Sequence, residues 1–502
     1  MKKQPNIIFI LTDQHRLSGV GAYGETPCRT PKIDRLANEG VLFENTYTVY
    51  PVCSPARGTI QTGVYPHTHG ITSNTHEVGC SVHELEDRPE LLPRRLQAAG
   101  YGVGFTGKWH LGSDQNRTFQ GSNKPSLPSC IGYEGQDFAG HGGAGQEYPS
   151  YLEWLRSKGH TLSVQPWDEP TTMIRNGIGE LAIPTNATVP AYLVDNVIEI
   201  ACSFKRRNLP YFISLNFWGP HAPYFATSEF LDWYEDVDIP PWPNYEWPSR
   251  DISGPHHLKI HWNHESLTWK DWAVAIKYYY ARVSMIDSQI GRLYDWLKEN
   301  GELENTVLIF TADHGETLGS HGGLLDKGWH HFEETHHIPL IIRFPSRSHA
   351  GKRISEFSSL ADMYPTILDF ADGDYDQGKI HGTSLLPLIK GEVLHWRDFV
   401  VTEFLGLGNV ATSMKTLRMG NLKYGCNLTS QDELYDLETD PYEMDNLIDN
   451  PKYLDKLKIL KTKLKKWMQE TDDPALRMYQ WREREDFVKW LRKQIGVNKV
   501  FE

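Results

Sequence analysis

The chain has 502 residues, with 51 Lys and Arg against 64 Asp and Glu, so its formal net charge is −13. Its 39% hydrophobic and 23% charged residues are ordinary for a globular protein and exclude a disordered, fibrous or collagen-like chain. The acidic balance argues against a nucleic-acid-binding protein, but it leaves room for an anionic substrate in a locally positive pocket.

The N-terminus combines Lys2 and Lys3 with the short apolar run 6–11. That run is shorter than the apolar part of a secretory signal and lacks a small-residue cleavage site. We therefore expect a cytoplasmic protein, or a periplasmic one if a leader has been removed. No apolar stretch approaches the ~18 residues of a membrane span, so none is predicted.

Strand and helix patterns alternate over the first three quarters of the chain. Continuous apolar runs predict strands at 6–12, 40–44, 101–106, 210–217, 306–311 and 338–344. Capped or amphipathic segments predict helices at 30–37, 91–99 and 270–300. This alternation predicts an α/β fold with a doubly wound, mostly parallel sheet. The segments 114–200 and 225–268 show weak periodicity and are expected to be insertions near the site rather than core.

The C-terminal part has a different pattern. Short strands separated by turn signals are predicted at 399–403, 413–419, 422–424 and 433–437, with a Lys-rich amphipathic helix at 454–470. We therefore expect two units. Residues 1–385 would form a catalytic α/β domain, and residues 386–502 a smaller subdomain with a short antiparallel sheet and terminal helices.

Four polar clusters come directly after predicted strands. They are Asp13, Lys108 with His110, His221, and Asp313 with His314. Ligands of doubly wound sheets gather at the carboxyl ends of the parallel strands. We therefore expect these side chains to form one active site.

The six cysteines are scattered without a CxxC pair, which disfavours a structural zinc site and a thioredoxin-type site. Most are expected to be small buried hydrophobes. Cys53 differs, because it opens the string Cys53-Ser54-Pro55-Ala56-Arg57-Gly58. Three further strings accompany it, namely Gly107-Lys108-Trp109-His110, Pro220-His221-Ala222-Pro223 and Asp313-His314-Gly315-Glu316.

Together these strings resemble the type I, formylglycine-dependent sulfatases of the alkaline phosphatase superfamily, in family order and over roughly residues 5–480. The resemblance implies an alkaline-phosphatase-like fold and a sulfuric ester hydrolase. It implies that Cys53 is converted to Cα-formylglycine (3-oxoalanine) by a formylglycine-generating or anaerobic sulfatase-maturating enzyme. One hydroxyl of the hydrated aldehyde would be the nucleophile, and the second would help to expel sulfate, so no water has to attack the sulfated enzyme.

The resemblance also implies a divalent cation held by Asp13, Gln14, Asp313 and His314 together with residue 53. Oxygen ligands suit Ca²⁺ or Mg²⁺, and the imidazole of His314 widens the choice to Mn²⁺ or Zn²⁺. The family favours Ca²⁺. Gln14 stands where many relatives have a second aspartate, so this site has one negative charge fewer.

The same resemblance also implies roles for several basic residues. Lys108 and Lys327 would hold the sulfate oxygens, and Arg57 would orient the hydrated formylglycine. His110 would take a proton as sulfate leaves, and His221 is a candidate general acid near the bridging oxygen, because the pKa of histidine lies near neutrality.

The 22 histidines are often clustered, which allows a separate zinc site as an alternative. Neither an HExxH motif nor cysteines at ligand spacing accompany them. His330 and His331 follow Lys327 closely and are candidates for lining the substrate pocket, with ordinary structural roles as the alternative. The clusters are His67/His69, His256/His257, His261/His264, His330/His331 and His336/His337.

The segment 432–447 resembles the closing hairpin of carbohydrate-active bacterial sulfatases. We therefore expect a sulfated saccharide substrate, such as a glycosaminoglycan fragment with a uronate 2-O-sulfate that is attacked from its end. The alternatives are a phosphonate monoester or phosphodiester hydrolase of the same superfamily and an aryl or choline sulfatase. A non-catalytic binding protein is disfavoured because Cys53, Arg57 and Lys108 are all present.

Overall fold

The computed structural model describes residues 4–112, 126–138, 141, 143–166, 177–246, 267–408 and 410–484. The strands are β1 (Asn6–Asp13), β2 (Val41–Tyr47), β3 (Gly102–Gly107), β4 (Glu134–Gly135), β5 (Val164–Pro166), β6 (Ile178–Leu181), β7 (Tyr211–Pro220), β8 (Tyr224–Ala226), β9 (Thr306–Ala312), β10 (His337–Arg343), β11 (Lys352–Ile354), β12 (Ser358–Ser359), β13 (Phe399–Leu407), β14 (Val410–Met419), β15 (Leu422–Asn427) and β16 (Glu433–Asp436). The α-helices are α1 (Pro31–Glu39), α2 (Cys53–Thr62), α3 (Pro66–His69), α4 (Leu92–Ala98), α5 (Pro149–Ser157), α6 (Val189–Arg206), α7 (Ser228–Leu231), α8 (Trp269–Glu299), α9 (Ser320–Gly323), α10 (Glu333–His336), α11 (Met363–Phe370), α12 (Leu386–Lys390), α13 (Leu454–Glu470) and α14 (Leu476–Arg482).

The main sheet has its strands in the order β11-β2-β10-β9-β1-β7-β3-β4, with β12 also paired to β2. Strand β1 runs parallel to both β7 and β9, and β3 runs parallel to β7. Strand β10 is antiparallel to β9 and β2. The predicted α/β fold with a mostly parallel sheet is confirmed.

Helices cover both faces of this sheet, and β1 shows why its sequence is apolar throughout. Ile7 and Phe9 belong to one apolar cluster, which includes residues of α2, α4 and α11. Ile8 and Ile10 belong to a second cluster with residues of α1, α6 and α8. Because alternate side chains of a strand point to opposite faces, a strand covered on both sides needs apolar residues at every position.

The expectation that segments 114–200 and 225–268 contribute no core is wrong for parts of both, because Tyr151 of the first and Phe230 of the second belong to the apolar cluster of Ile8 and Ile10. Helix α6 packs between β7, β3 and α8 and buries residues such as Leu193, Val197 and Phe204. Its first turns, from Val189 to Val194, are buried on all sides, so they lack the amphipathic stripe by which surface helices are detected.

The C-terminal part contains a four-stranded antiparallel sheet in the order β13-β14-β15-β16. Helix α13 has the bounds that its periodicity predicts. Leu417 of this sheet and Leu464 of α13 belong to the same apolar cluster as Ile7 and Phe9. The division into units at 385/386 stays a prediction. Among the described residues, none of the helices combines the length and apolarity that crossing a bilayer requires.

Candidate active site

The polar residues at the carboxyl ends of the parallel strands lie together at one edge of the main sheet. Asp13 is the last residue of β1, Lys108 follows β3, His221 follows β7 and Asp313 follows β9. Cys53 is the first residue of α2, which begins shortly after β2 ends. The structure thus brings together residues that lie up to three hundred positions apart in the chain.

The Cys53 thiol lies in the middle of this group. Its Sγ atom is 3.4 Å from Asp13 Oδ1 and 3.3 Å from His314 Nε2. The Nζ atoms of Lys108 and Lys327 each lie 3.4 Å from the same sulfur. The residue is fully buried. Two cationic side chains therefore end at a sulfur, which is only a weak hydrogen-bond acceptor.

The thiol itself is unsuited to nucleophilic attack here. Burial and the neighbouring Asp13 carboxylate raise the pKa of Cys53 to about 11, against the opposing effect of Lys108 and Lys327. A cysteine attacks as its thiolate, and little thiolate forms near neutral pH at such a pKa. The site therefore has the surroundings for an anionic substrate but not an activated thiol.

A donor set for a cation lies beside the thiol. Ligand atoms of Asp13, Cys53, Asp313 and His314 all lie within 4.8 Å of one another. The Nε2 atom of His314 is 3.6 Å from Asp13 Oδ1 and 3.7 Å from Asp313 Oδ1. Its Nδ1 atom is 2.9 Å from the carbonyl oxygen of Gly315, to which it donates. That contact leaves the Nε2 lone pair facing the carboxylates, and burial lowers the pKa of His314, which keeps the ring neutral.

Gln14 is held against this donor set from several directions. Its backbone N–H donates to Asp313 Oδ1 at 3.0 Å, and its carbonyl oxygen accepts from the Tyr279 hydroxyl at 2.9 Å. Its side-chain Oε1 accepts from Lys327 Nζ at 2.6 Å, and its Nε2 donates to Glu316. The amide oxygen is therefore turned towards the basic side of the site.

Arginine and lysine neutralise the two carboxylates. Arg57 reaches Asp313 Oδ2 through Nε at 3.0 Å and through a terminal nitrogen at 2.9 Å, and its other terminal nitrogen donates to the carbonyl of Lys108 at 2.8 Å. The Lys108 amine contacts Asp13 Oδ2 directly. Burial opposes ionisation of Asp13, but the positive charges of Lys108 and Arg57 hold its pKa well below its usual value.

Four imidazoles adjoin the thiol site. His221 and His141 approach through their Nε2 atoms at 3.3 Å, and His221 Nδ1 donates to the carbonyl of Ala222 at 2.6 Å. His110 Nε2 lies 3.4 Å from His76 Nδ1. The rings of His110 and His141 are 5.0 Å apart, so the four histidines form a continuous row.

Burial also sets the protonation of this row. It is the main cause that lowers the pKa values of His110, His141 and His221 well below the usual value. Lys108 and Lys327 add to this effect, because each disfavours a second positive charge nearby. The three rings are therefore neutral in the free protein at neutral pH.

Two site residues have left-handed backbones. Gln14 has a φ of 61° and His110 a φ of 56°, a region that residues other than glycine seldom adopt. Such conformations persist where the surrounding contacts determine them, and they are frequent at functional sites.

His330 and His331 lie beside the small sheet. His331 is buried, and its two ring nitrogens contact the Thr416 hydroxyl and, at 3.0 Å, Asn427 Oδ1. His330 stacks on Phe332 with ring centroids 5.1 Å apart. A contact of either residue with substrate stays a prediction.

Among the other histidine clusters, His67 joins a buried network rather than a cysteine-containing site. Its Nδ1 lies 2.8 Å from Glu403 Oε2, and Lys415 Nζ lies 2.6 Å from the same carboxylate oxygen. The pairs at 256–264 lie outside the described residues.

The sequence reasoning missed three residues of the site, namely His76, His141 and Glu316. Glu316 stands within the quoted string Asp313-His314-Gly315-Glu316, but no role follows from its spacing. His76 and His141 come from segments without a motif, and an isolated histidine is too common to be a signal by itself.

Comparisons with known proteins agree with this geometry. A family model described as Sulfatase matches residues 5–373, and one described as N-sulphoglucosamine sulphohydrolase, C-terminal, matches residues 319–470. The chain is 26% identical to an N-acetylglucosamine-6-O-sulfatase of Bacteroides thetaiotaomicron, over 94% of this chain and 87% of that protein. It is 27% identical to an arylsulfatase of Clostridium perfringens, over 91% of this chain and 93% of that protein.

A solved structure shows the same architecture. The crystal structure of a phosphonate monoester hydrolase of Agrobacterium radiobacter matches with a TM-score of 0.75 and 25% sequence identity, covering 93% of this chain and 96% of that one. The Sulfatase model spans well over half of the sequence, and its match includes all the strand-end residues of the site. The chain therefore belongs to the sulfatase family of the alkaline phosphatase superfamily and is a sulfuric ester hydrolase.

Proposed function

We propose that this sulfatase removes sulfate from a sulfated saccharide and that Cys53, converted to formylglycine, supplies the nucleophile. The observation that carries the proposal is the position of Cys53 Sγ, within 3.4 Å of Asp13, His314, Lys108 and Lys327. An oxygen at this position would replace a protonated thiol by a group that the lysines and the cation can stabilise as an anion. We infer that a formylglycine-generating or anaerobic sulfatase-maturating enzyme acts on the chain.

The residues beside Cys53 fit a divalent cation. Asp13, Asp313 and His314 would hold it, with Gln14 and the modified residue 53 completing the site. The oxygen-rich donor set favours Ca²⁺, while one imidazole keeps Mg²⁺, Mn²⁺ and Zn²⁺ as alternatives for measurement. When bound, such a cation supplies positive charge that favours the deprotonated nucleophile and offsets charge on the sulfuryl group.

The basic residues would bind the sulfuryl group. Lys108 and Lys327 both end at the sulfur of Cys53, so their amines are placed to hold two oxygens of a sulfate ester that approaches this atom. Arg57 pairs with Asp313 and donates to the carbonyl of Lys108, which suits it to orienting the site rather than to binding the substrate. These roles agree with those that the family resemblance implies.

Two histidines would move protons at their Nε2 atoms. His221 has its Nδ1 proton committed to the carbonyl of Ala222, so Nε2 is the atom that would act on the leaving sugar oxygen. It can give a proton there only from the doubly protonated ring, which the negative charge of a bound sulfate ester would favour. We assign His110, the next polar residue after Lys108, to accept the proton of the remaining hydroxyl when sulfate departs. His110 is buried beside the thiol site and His221 is half-buried there, so bulk water has little access to these protons.

A sulfated saccharide is favoured by the relatives. The Bacteroides thetaiotaomicron protein is named as an enzyme acting on a 6-O-sulfated amino sugar, and it aligns over 94% of this chain. We retain a glycosaminoglycan fragment with a uronate 2-O-sulfate, attacked from its end, as the proposed substrate. Amino-sugar 6-O-sulfate is the competing position.

The test is a panel of defined sulfated disaccharides, with sulfate release measured by ion chromatography. The enzyme must have a formylglycine content determined by peptide mass spectrometry, where conversion lowers the mass of the Cys53 peptide by about 18 Da. Release from uronate 2-O-sulfate alone supports the finer proposal, and release from amino-sugar 6-O-sulfate alone replaces it. A converted enzyme that releases sulfate from no saccharide contradicts the substrate class.

A phosphonate monoester hydrolase is the second candidate function. Its support is the solved structure from Agrobacterium radiobacter, at 25% identity and a TM-score of 0.75. Phosphoryl and sulfuryl groups have similar shapes, so the same lysines and carboxylates can serve either. Turnover of a phenyl phosphonate monoester and of a phosphate diester, measured beside the disaccharides, separates the two activities by their kcat/KM values.

A further inference from the structure

A buried carboxylate outside the cation-binding set lies at the junction of three site segments. Glu316 is fully buried three residues after Asp313. Its Oε2 atom accepts from Gln14 Nε2 and, at 3.1 Å, from the Tyr224 hydroxyl. Its Oε1 atom accepts from the backbone N–H groups of Asp326 at 2.6 Å and Leu318 at 3.1 Å. One side chain therefore joins the end of β1, the His221 loop and the loop that leads into Lys327.

The direction of the Gln14 amide follows from these partners. A lysine amine only donates hydrogen bonds and an ionised carboxylate only accepts them. The oxygen of the Gln14 amide must therefore face Lys327, and its NH₂ group must face Glu316. With the opposite orientation, an NH₂ group would point at Lys327 and at the proposed cation, where it can bind neither.

We propose that Glu316 is a positioning residue that orients the Gln14 amide so that its oxygen, rather than its nitrogen, is presented to the cation and to Lys327. This inference rests on the cation site of the proposed function. It also accounts for an amide at position 14, because a carboxylate there would face the carboxylate of Glu316 without a proton between them.

A hydrogen-bond swap tests the pairing. In Glu316→Gln, the new amide keeps its oxygen on the two backbone N–H groups and turns its NH₂ group to Gln14, so two donors meet and the Gln14 amide is driven to flip. We expect the dissociation constant for Ca²⁺, measured by calorimetry, to rise at least about tenfold, as for other partners of metal ligands. Gln14→Glu sets two carboxylates against each other and is also expected to weaken Ca²⁺ binding.

The double variant Gln14→Glu/Glu316→Gln restores a donor facing an acceptor. It is expected to bind Ca²⁺ more tightly than Gln14→Glu and to return to within about threefold of the native affinity. The matched control is Glu39→Gln, which removes a carboxylate that accepts from Tyr294 and Arg343 at the opposite edge of the main sheet. Its Ca²⁺ affinity should not change.

Calorimetry gives the Ca²⁺ affinity of the native protein and of each variant, and thermal unfolding without added cation shows whether each variant is folded. Unchanged Ca²⁺ affinity in a folded Glu316→Gln protein overturns the inference. It is also overturned if the change in dissociation constant of the double variant equals the product of the changes in the two single variants. If Glu316→Gln does not fold, the comparison of Gln14→Glu with the double variant decides, and equal or weaker binding by the latter overturns the inference. A native protein that binds no Ca²⁺, Mg²⁺, Mn²⁺ or Zn²⁺ instead overturns the cation site of the proposed function.

Discussion

Two of the buried groups of charged side chains among the described residues differ in form, and one of the two has the form of an active site. We call the first the hairpin cluster, formed by His67, Glu403, Lys415 and Asp473. In it, the Lys415 amine lies between Glu403 at 2.6 Å and Asp473 at 2.8 Å. His67 is engaged at Nδ1 by Glu403 and at Nε2 by the carbonyl of Thr471. Each cation ends at a strong acceptor.

The second group, the strand-end cluster, consists of Asp13, Cys53, Arg57, Lys108, Asp313, His314 and Lys327. Both groups contain side chains at metal-ligand spacing, so spacing alone does not distinguish them. In the strand-end cluster, however, two amines end at the sulfur of Cys53. Each amine also has a stronger partner, Asp13 for Lys108 and Gln14 for Lys327, but the sulfur on which both converge is a weak acceptor that an anion could replace. This convergence of two amines on one weak acceptor, rather than buried charge as such, marks the functional site.

The substitution Cys53→Ala tests most directly whether the strand-end cluster is the active site. We expect turnover to fall by at least about 10⁴-fold, because the variant has no side chain that can become the nucleophile. The thermal unfolding midpoint should stay near that of the native protein, because the sulfur makes only weak contacts. Sulfate release and calorimetric unfolding measure the two effects. Cys130→Ala, at an exposed position, is the matched control and should keep full activity.

The opposite outcome is expected for Glu403→Gln in the hairpin cluster. The change leaves Lys415 and His67 without their shared carboxylate, which typically costs about 3–5 kcal/mol of unfolding free energy. Denaturant unfolding measures this loss, while kcat for sulfate release should stay within about twofold of native. A loss of kcat that resembles that of Cys53→Ala would place this cluster in the active site.

The hairpin cluster also predicts a pH dependence of stability. Burial opposes ionisation of Glu403, but Lys415 and His67 hold its pKa below the usual value. Its contribution is therefore present above the unfolded pKa of about 4.3 and is lost as the pH falls. Glu403 raises the pKa of His67 against the effect of burial, so that contribution is present below about pH 6.5 and is lost as the pH rises. The difference in stability between the native protein and Glu403→Gln should thus be largest between these values.

The substitution His221→Ala tests whether this histidine, beside the strand-end cluster, protonates the leaving group. Without an acid at the bridging oxygen, sugar sulfates should lose about a hundredfold in kcat, because an alkoxide leaves poorly unless it is protonated. An activated nitrophenyl sulfate should lose less than about tenfold, because its leaving group departs as a stable anion. Equal losses on both substrates would show that His221 binds the substrate rather than protonating the leaving group.

Among the active-site changes, the smallest effect on sugar sulfates is expected for His141→Ala. This change removes the ring that lies 3.3 Å from His221 Nε2 but leaves every proposed ligand and nucleophile in place. We expect about a tenfold loss in kcat/KM, the size of one hydrogen bond to a reacting group. The control is His349→Ala at an exposed position, which should have native kinetics. Native kinetics in His141→Ala as well would exclude this histidine from the site.

The sequence predicted the structure best where residues of similar character form a continuous local pattern, such as a run of apolar residues. The apolar runs that became β1 and β9 predicted both the strands and the edge at which Asp13 and Asp313 meet. The motif around Cys53 predicted its neighbours, because strand order in a doubly wound sheet brings strand ends together. Helix α6 was missed since its first turns are buried on all sides and show no amphipathic stripe.

The remaining features depend on contacts between distant positions. Glu403 and Lys415 face each other in the register of β13 and β14, but His67 reaches them from more than three hundred residues away. Likewise, His141 joins His221 across eighty residues, and no motif surrounds His141. Local patterns carry no information about such pairings, which the tertiary fold alone determines.

The left-handed backbones of Gln14 and His110 have a consequence for engineering. Each costs about 1–3 kcal/mol relative to a relaxed conformation, and glycine at either position would recover part of that energy. Directed evolution that rewards heat tolerance alone would therefore accumulate glycine at these positions and yield robust but inactive catalysts. Libraries for thermostable variants should hold both codons fixed.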